Sequence, residues 1–331
     1  MKKWNAEELD MNENTKLRPL KKQANHVALG LIGYHAILYI GITVVIIGKL
    51  IYICCSEKNP ILEEQAYYRY LEEIENSGFY SIVAILIGMG FLMVHFRKDI
   101  FFKHIFEKKQ QMTGKKFVRF ILAFMSTQLI FTLLANGVEA LLQSAGFTAM
   151  QDMESATAVS TTISMFLYAC IFGPVIEEFI YRGWVMRIFE KYGKQFAIVA
   201  SSILFGMMHG NIYQIPDAFV AGLVLGYVAM NYSIWWSVAL HIVNNCLFGD
   251  ILGFLISGFS ENVQEIINWG LLIVFFIAGM FVLWRERGQI QQYFKENKND
   301  KKQFKIAFTA IWMIVFIVME VLLAIGGIEK M

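Results

Sequence analysis

The chain is 331 residues long, 56% hydrophobic and only 17% charged, with a mean hydropathy of +0.49, an apolar excess that excludes an ordinary soluble domain of this size. A net charge of +2 gives no broad basic surface for nucleic acid, and four cysteines without CxxC spacing exclude a cysteine-ligated metal module. The expectation is an all-α integral membrane protein, a bundle of eight to nine transmembrane helices with the lipid bilayer as solvent, each crossing needing about 20 apolar residues.

Residues 1–27 are polar and charged and lack the pattern of a cleaved signal peptide, so they read as a cytoplasmic N-terminal segment ahead of a retained membrane helix, with 28–331 as a single membrane domain. Candidate spans follow at 28–54, 78–96, 117–142, 155–188, 196–209, 216–230, 235–256, 269–284 and 306–325. The fifth and sixth are short, and neighbouring helices can hold them without a full crossing. Lysine and arginine orient the set. The N-terminal segment carries Lys2, Lys3, Lys16, Arg18, Lys21 and Lys22, and the loops at 97–119 and 285–305 are basic. The loop at 56–77 instead holds Glu57, Glu63, Glu64, Glu72, Glu73 and Glu75 against Lys58 and Arg69, while 143–154 and 258–268 contain neither lysine nor arginine. This pattern predicts a cytoplasmic N-terminus, nine crossings and an external C-terminus in a plasma membrane; the lysine- and phenylalanine-rich composition has a bacterial character.

An ionisable side chain at mid-bilayer costs about 2.5 kcal/mol or more, so such residues face the bundle interior and serve a purpose. The densest cluster is Gly173-Pro174-Val175-Ile176-Glu177-Glu178-Phe179-Ile180-Tyr181-Arg182. Glu178 and Arg182, four apart with the acid first, are expected to pair along one helix face, leaving Glu177 free about a quarter turn away. Pro174 is expected to kink the helix just before them. With Gly193 as the pivot of a helical hairpin, Glu177 lies as far before it as His209 lies after, so the two should share a depth of about 24 Å from the turn. A third cluster, Leu240-His241-Ile242-Val243-Asn244-Asn245, sets His241 and Asn245 on one helical face. His241 lies only about two turns into its helix, so it meets Glu177 only where the preceding short span is tilted or incomplete.

A glutamate and a histidine at equal depth can hold a water between them, with Glu177 as general base and His209 orienting or sharing the proton. His241 and Asn245 present hydrogen-bond donors suited to an oxyanion hole. Glu177, His209 and His241 also fit a zinc site with an open water position, although the helical HExxH pattern is missing and the metal-independent reading is preferred.

These residues carry a resemblance. The stretches EEFIYR from Glu177, FGMMH from Phe205 and HIVNN from His241 resemble the successive motifs of the CPBP family, the CAAX protease and bacteriocin-processing intramembrane peptidases, also described as the Abi or type II CAAX prenyl endopeptidase family. The resemblance covers about 155–257. It implies an intramembrane endopeptidase in which Glu177 and His209 activate water, Glu178 and Arg182 support them, and His241 with Asn245 form the oxyanion hole. The implied partner is a membrane-associated peptide or protein substrate, with no cofactor favoured and zinc as the alternative.

Blander readings stand beside these. Glu178 with Arg182 is equally a structural ion pair, and His35 and His95 read as packing or interfacial residues. Glu139, Asp250 and Glu320 fall near span ends, where interfacial charges reach water. The polar catalytic cavity is expected between the fourth, fifth and seventh spans, opening to the cytoplasm. The competing function is a non-catalytic membrane partner or regulator on the same fold; a proton-coupled transporter comes third, with no inverted repeat to support it.

Overall fold

The computed structural model describes residues 6–56, 73–74, 76–95, 107 and 109–331. Most of the predicted acidic loop at 56–77, the basic stretch 97–106 with Lys108, and Lys2 and Lys3 lie outside the described residues. What is described is an all-α membrane protein. The helices are α1 (Ala6–Ser56), α2 (Gly78–His95), α3 (Gly114–Ser144), α4 (Met150–Thr157), α5 (Ile163–Glu190), α6 (Lys194–Met207), α7 (Gln214–Asn231), α8 (Ile234–Ile256), α9 (Glu261–Glu296), α10 (Lys301–Phe308) and α11 (Ile311–Gly326). Side-chain oxygens of Thr113, Thr162, Ser233 and Asp300 cap α3, α5, α8 and α10, accepting from amides two or three residues ahead. The helix α1 passes through residue 27 without a break, and Leu20, Ala24 and Val27 are buried, so its packing within the fold begins before residue 28.

Six helices are long and apolar enough to cross a bilayer: α1 over Arg18–Tyr52, α2, α3, α5, α8 and α9. The pair α10 and α11, bent by 76°, makes a seventh if counted as one span. The two runs that read as short are the ones that fall out: α6 has 14 residues, and α7 carries Gln214, Asp217 and Asn231 within its 18. By length and composition the described residues therefore hold six or seven crossings, fewer than eight or nine.

Lipid shows in what is left exposed. Only 6% of the apolar window of α9 is buried, and Ile266, Val274, Ile277 and Phe281 lie open on it. The helix nevertheless packs on α3, because a Cβ at Gly279 would run into the Leu122 carbonyl and Ser126.

The bundle has two chemically different ends. At one, the Lys109 and Gln110 amides donate to the Tyr232 and Asn231 carbonyls at 3.0 and 3.1 Å, and Lys109 Nζ reaches Glu190 at 3.0 Å. Gln303 there donates to the Tyr192 carbonyl, and the Trp312 amide to Asn25. At the other, β1 (Phe147–Thr148) pairs antiparallel with β2 (Glu329–Lys330), Asn211 donates to the Asp152 carbonyl, and Thr162 donates to the Asn76 carbonyl. The first end gathers the basic residues of 109–119, 187–194 and 285–305; among the described residues the second holds only Lys49 and Lys330. The charge asymmetry along the chain is thus an asymmetry of the fold.

Candidate active site

The helix α5 carries the paired glutamates past Pro174 as one continuous run. Proline lacks the N–H owed to the carbonyl four residues back and crowds that carbonyl. The backbone accommodates both by winding wide as a π-helical turn over Tyr168–Phe172, immediately before Gly173 and Pro174, a departure from regular helix at the expected place. A second wide turn, Phe179–Val185, follows the glutamates, and the regular α segment Gly173–Glu178 lies between.

Glu178 is fully buried and saturated with partners. Its Oε1 lies 3.0 Å from Arg182 Nη1 and 3.2 Å from His241 Nδ1, and its Oε2 accepts from the Ser237 hydroxyl at 2.5 Å. Arg182, also fully buried, places its guanidinium 4.1 Å from the centre of the Phe205 ring and reaches toward the Gly222 carbonyl at 3.4 Å. Phe205 also meets the rings of His209 at 5.1 Å and His241 at 5.9 Å, both edge-on. It is the apolar hub around which the charged groups are set.

Glu177, one residue earlier, is differently placed. Its side chain keeps 22% of its surface and opens onto a cavity of about 270 Å³ that His209 also lines. Gly193, at φ +132°, makes the turn that returns α6 alongside α5, and the two residues equidistant from it line one space. His209 sits just past the end of α6, its Nδ1 2.9 Å from the Phe205 carbonyl. With Nδ1 donating there, Nε2 keeps its lone pair. The turn is held from both sides: Gly210 takes φ +54°, Asn211 Oδ1 accepts the Tyr213 and Gln214 amides, and the Tyr213 hydroxyl donates to Glu139 at 2.5 Å.

His241 bridges the two glutamates, Nδ1 toward Glu178 and Nε2 at 3.7 Å from Glu177 Oε2. Its helix α8 can begin at this depth because the preceding turn, Asn231 to Ser233, is itself buried beneath the Lys109 and Gln110 backbone. Asn245 stands apart. A third wide turn, Val243–Ile251, intervenes after His241, and the Asn245 amide donates to the Ala169 carbonyl at 3.1 Å while its Oδ1 accepts from Asn244. The structure thus gathers Glu177, Glu178, Arg182, His209 and His241, and sets Asn245 against α5. Among the described residues no three His, Cys, Asp or Glu side chains are grouped as a metal site.

The stretch that builds this cluster is the one that finds a counterpart among known proteins. Residues 159–247 match the family model for type II CAAX prenyl endopeptidase Rce1-like proteins. The match takes in α5, α6, α7 and the first half of α8, roughly a quarter of the chain, and includes all six predicted site residues. No curated protein and no solved structure matches the chain. The Rce1-like match supports a CAAX-type intramembrane protease kind of function.

Beyond the Rce1-like region the cavity differs from its predicted position. Its far wall is α1, with Tyr34, His35 and Tyr39, joined by Ile85 of α2, and no residue of α8 lines it. Three acids expected to reach water are buried instead. Glu139 accepts from Thr148, Tyr213 and the Ala149 amide; Asp250 accepts from the Ser160 amide and the Cys170 thiol; Glu320, fully buried, stands against His35. Each lies near a span end in sequence, but a neighbouring element folds over it, and position within a single helix carries no trace of that cover.

Proposed function

We propose that the protein is an intramembrane endopeptidase that hydrolyses a peptide bond of a membrane-associated peptide or protein at the cavity shared by Glu177 and His209. One observation carries this reading. Of two adjacent carboxylates, Glu178 is engaged by Arg182, Ser237 and His241, whereas Glu177 opens onto the cavity that His209 also lines. Glu177 takes a proton from a water held between it and His209, the water oxygen attacks the peptide carbonyl carbon, and the proton passes to the leaving nitrogen as the C–N bond breaks. Glu178, fixed by Arg182, holds Nδ1 of His241 and so aims the ring. Asn245 on α8, through the amide hydrogen not given to Ala169, is assigned a donor for the developing oxyanion, and His241 joins it through Nε2 in the form that carries a proton on both ring nitrogens, since Nδ1 is turned to Glu178. No metal takes part. The basic end faces the cytoplasm, as the excess of lysine and arginine requires.

The test is cleavage of a membrane peptide by the purified protein, with and without a chelator, beside Glu177→Ala and His209→Ala. Wild type is expected to cut in the chelator and both variants to be inactive. Loss of cutting in the chelator would make the site metal-dependent. No cutting at all, with Glu177→Ala still rescuing a deletion phenotype, would replace the peptidase by a non-catalytic membrane partner.

A further inference from the structure

The far wall of the cavity carries an ionisable pair from outside the Rce1-like region. His35 on α1 and Glu320 on α11 meet with Nδ1 2.6 Å from Oε1, their side chains 6% and 0% exposed. His35 lines the same cavity as Glu177 and His209. Glu320 stands behind it, beside the turn that follows His209, where a Cβ on Gly210 would lie 3.7 Å from Glu320 Oε2.

Stability alone does not account for such a pair. Each ionisable group taken out of water costs several kcal/mol, offset only where geometry is good and the remaining lone pairs are satisfied. Glu178, with three partners, comes near that condition and Glu320 does not: among the described residues its one polar contact is the close approach of His35 Nδ1, and neither Glu320 oxygen nor His35 Nδ1 has a hydrogen bond of good geometry. What the contact does achieve is orientation. Two bare lone pairs would repel at 2.6 Å, so the short separation places a proton between Nδ1 and the carboxylate, and with that proton on Nδ1 the other ring nitrogen is an acceptor. The rings of Tyr34, Tyr39 and Phe316, at 5.8, 6.5 and 5.8 Å, confine it further.

A peptide entering this cavity brings backbone N–H groups that are costly to bury unpaired. Leu38, Ile42 and Ile85 on the same wall offer them nothing. We infer that His35 is a substrate-binding residue whose Nε2 accepts a hydrogen bond from a backbone N–H of the bound peptide, with Glu320 as the positioning residue that holds the ring. The inference rests on the peptidase reading and names the group by which that site recognises a peptide backbone. No bond is made or broken at His35.

The experiment uses the full chain and a synthetic peptide of about 20 apolar residues with a polar flank. Steady-state kinetics are compared for wild type, Glu177→Gln, His35→Ala, Glu320→Gln and the His35→Ala/Glu320→Gln double variant, with thermal unfolding of each as a check on folding. Loss of a contact made before the transition state raises KM and leaves kcat in place. Both single variants are expected to raise KM about tenfold, the usual size of losing an orienting partner, and the double variant to be no worse than either. Unchanged kinetic parameters, a fall in kcat at constant KM, additive losses, or losses that only follow a lowered melting temperature would overturn the inference. If wild type itself cuts nothing, the peptidase reading fails, and the same proteins are compared for the rise in melting temperature on adding the peptide. A rise in wild type and Glu177→Gln that is absent in His35→Ala keeps His35 as a peptide-binding residue; an equal rise in all, or none in any, removes it.

Discussion

Two carboxylate–imidazole pairs stand on either side of Glu177 and His209, Glu178 with His241 and Glu320 with His35, and they differ in how fully each acid is satisfied. On the Rce1-like side Glu178 has an arginine, a serine hydroxyl and a histidine within 3.2 Å, all from α5 and α8. On the opposite side Glu320 has, among the described residues, only the contact with His35. A buried carboxylate with both oxygens engaged fixes geometry, whereas one with a single partner orients that partner and little else. Glu177 stands between these cases, with one loose approach from His241 at 3.7 Å and the remainder of its surface on the cavity. Adjacent positions in one helix therefore hold an engaged acid and one that opens onto the cavity.

The contrast between Glu177 and Glu178 is sharpest in substitution. Glu177→Gln is expected to lower single-turnover peptide cleavage by about 10²–10⁴-fold, the range a positioned general base supplies, with the melting temperature unchanged; retained cleavage would remove Glu177 from the chemistry. Arg182→Met reverses the pattern. It leaves Glu178 buried without its cation, and unfolding in detergent should show a loss of about 3–5 kcal/mol, part of which Glu178→Gln restores in the same chain. A Glu178 that tolerates the loss of Arg182 would end the distinction between a structural and a reactive acid.

Smaller effects probe the periphery against the site. Gly279→Val forces α9 from α3 and should cost about 1–3 kcal/mol by overpacking while leaving KM unchanged, since neither helix lines the cavity. Asp152, in α4 outside the spans, has its carboxyl held above the usual range by burial and then by Glu329. Because the folded value exceeds the unfolded one, its ionisation weighs against the fold. Asp152→Asn should therefore stabilise at neutral pH by no more than about 1 kcal/mol. The gain should fade as the pH falls through the raised folded value toward the ordinary one of about 3.9, which thermal melts at neutral and acidic pH would detect.

Much of the centre was legible along the chain. The four-residue spacing of Glu178 and Arg182 foretold their ion pair, and the equal distances of Glu177 and His209 from Gly193 foretold a shared cavity, because helical rise converts residue number directly into depth. For His241 with Asn245 the same arithmetic is looser, because spacing of four guarantees a shared face only in a regular helix and the wide turn Val243–Ile251 begins between them. Pro174 was a sound signal of a departure from regular helix, which takes the form of the wide turn Tyr168–Phe172.

The sequence by itself determined the solvent, the helical class, the segregation of charge to one end and the residues of the central cluster, since each follows from composition or from spacing within one or two consecutive helices. The tertiary structure alone decided that α1 closes the cavity, that His35 meets Glu320 across most of the chain, and that Glu139, Asp250 and Glu320 are covered. Those contacts join residues far apart in sequence, and no local periodicity specifies which distant helix will pack against a given face.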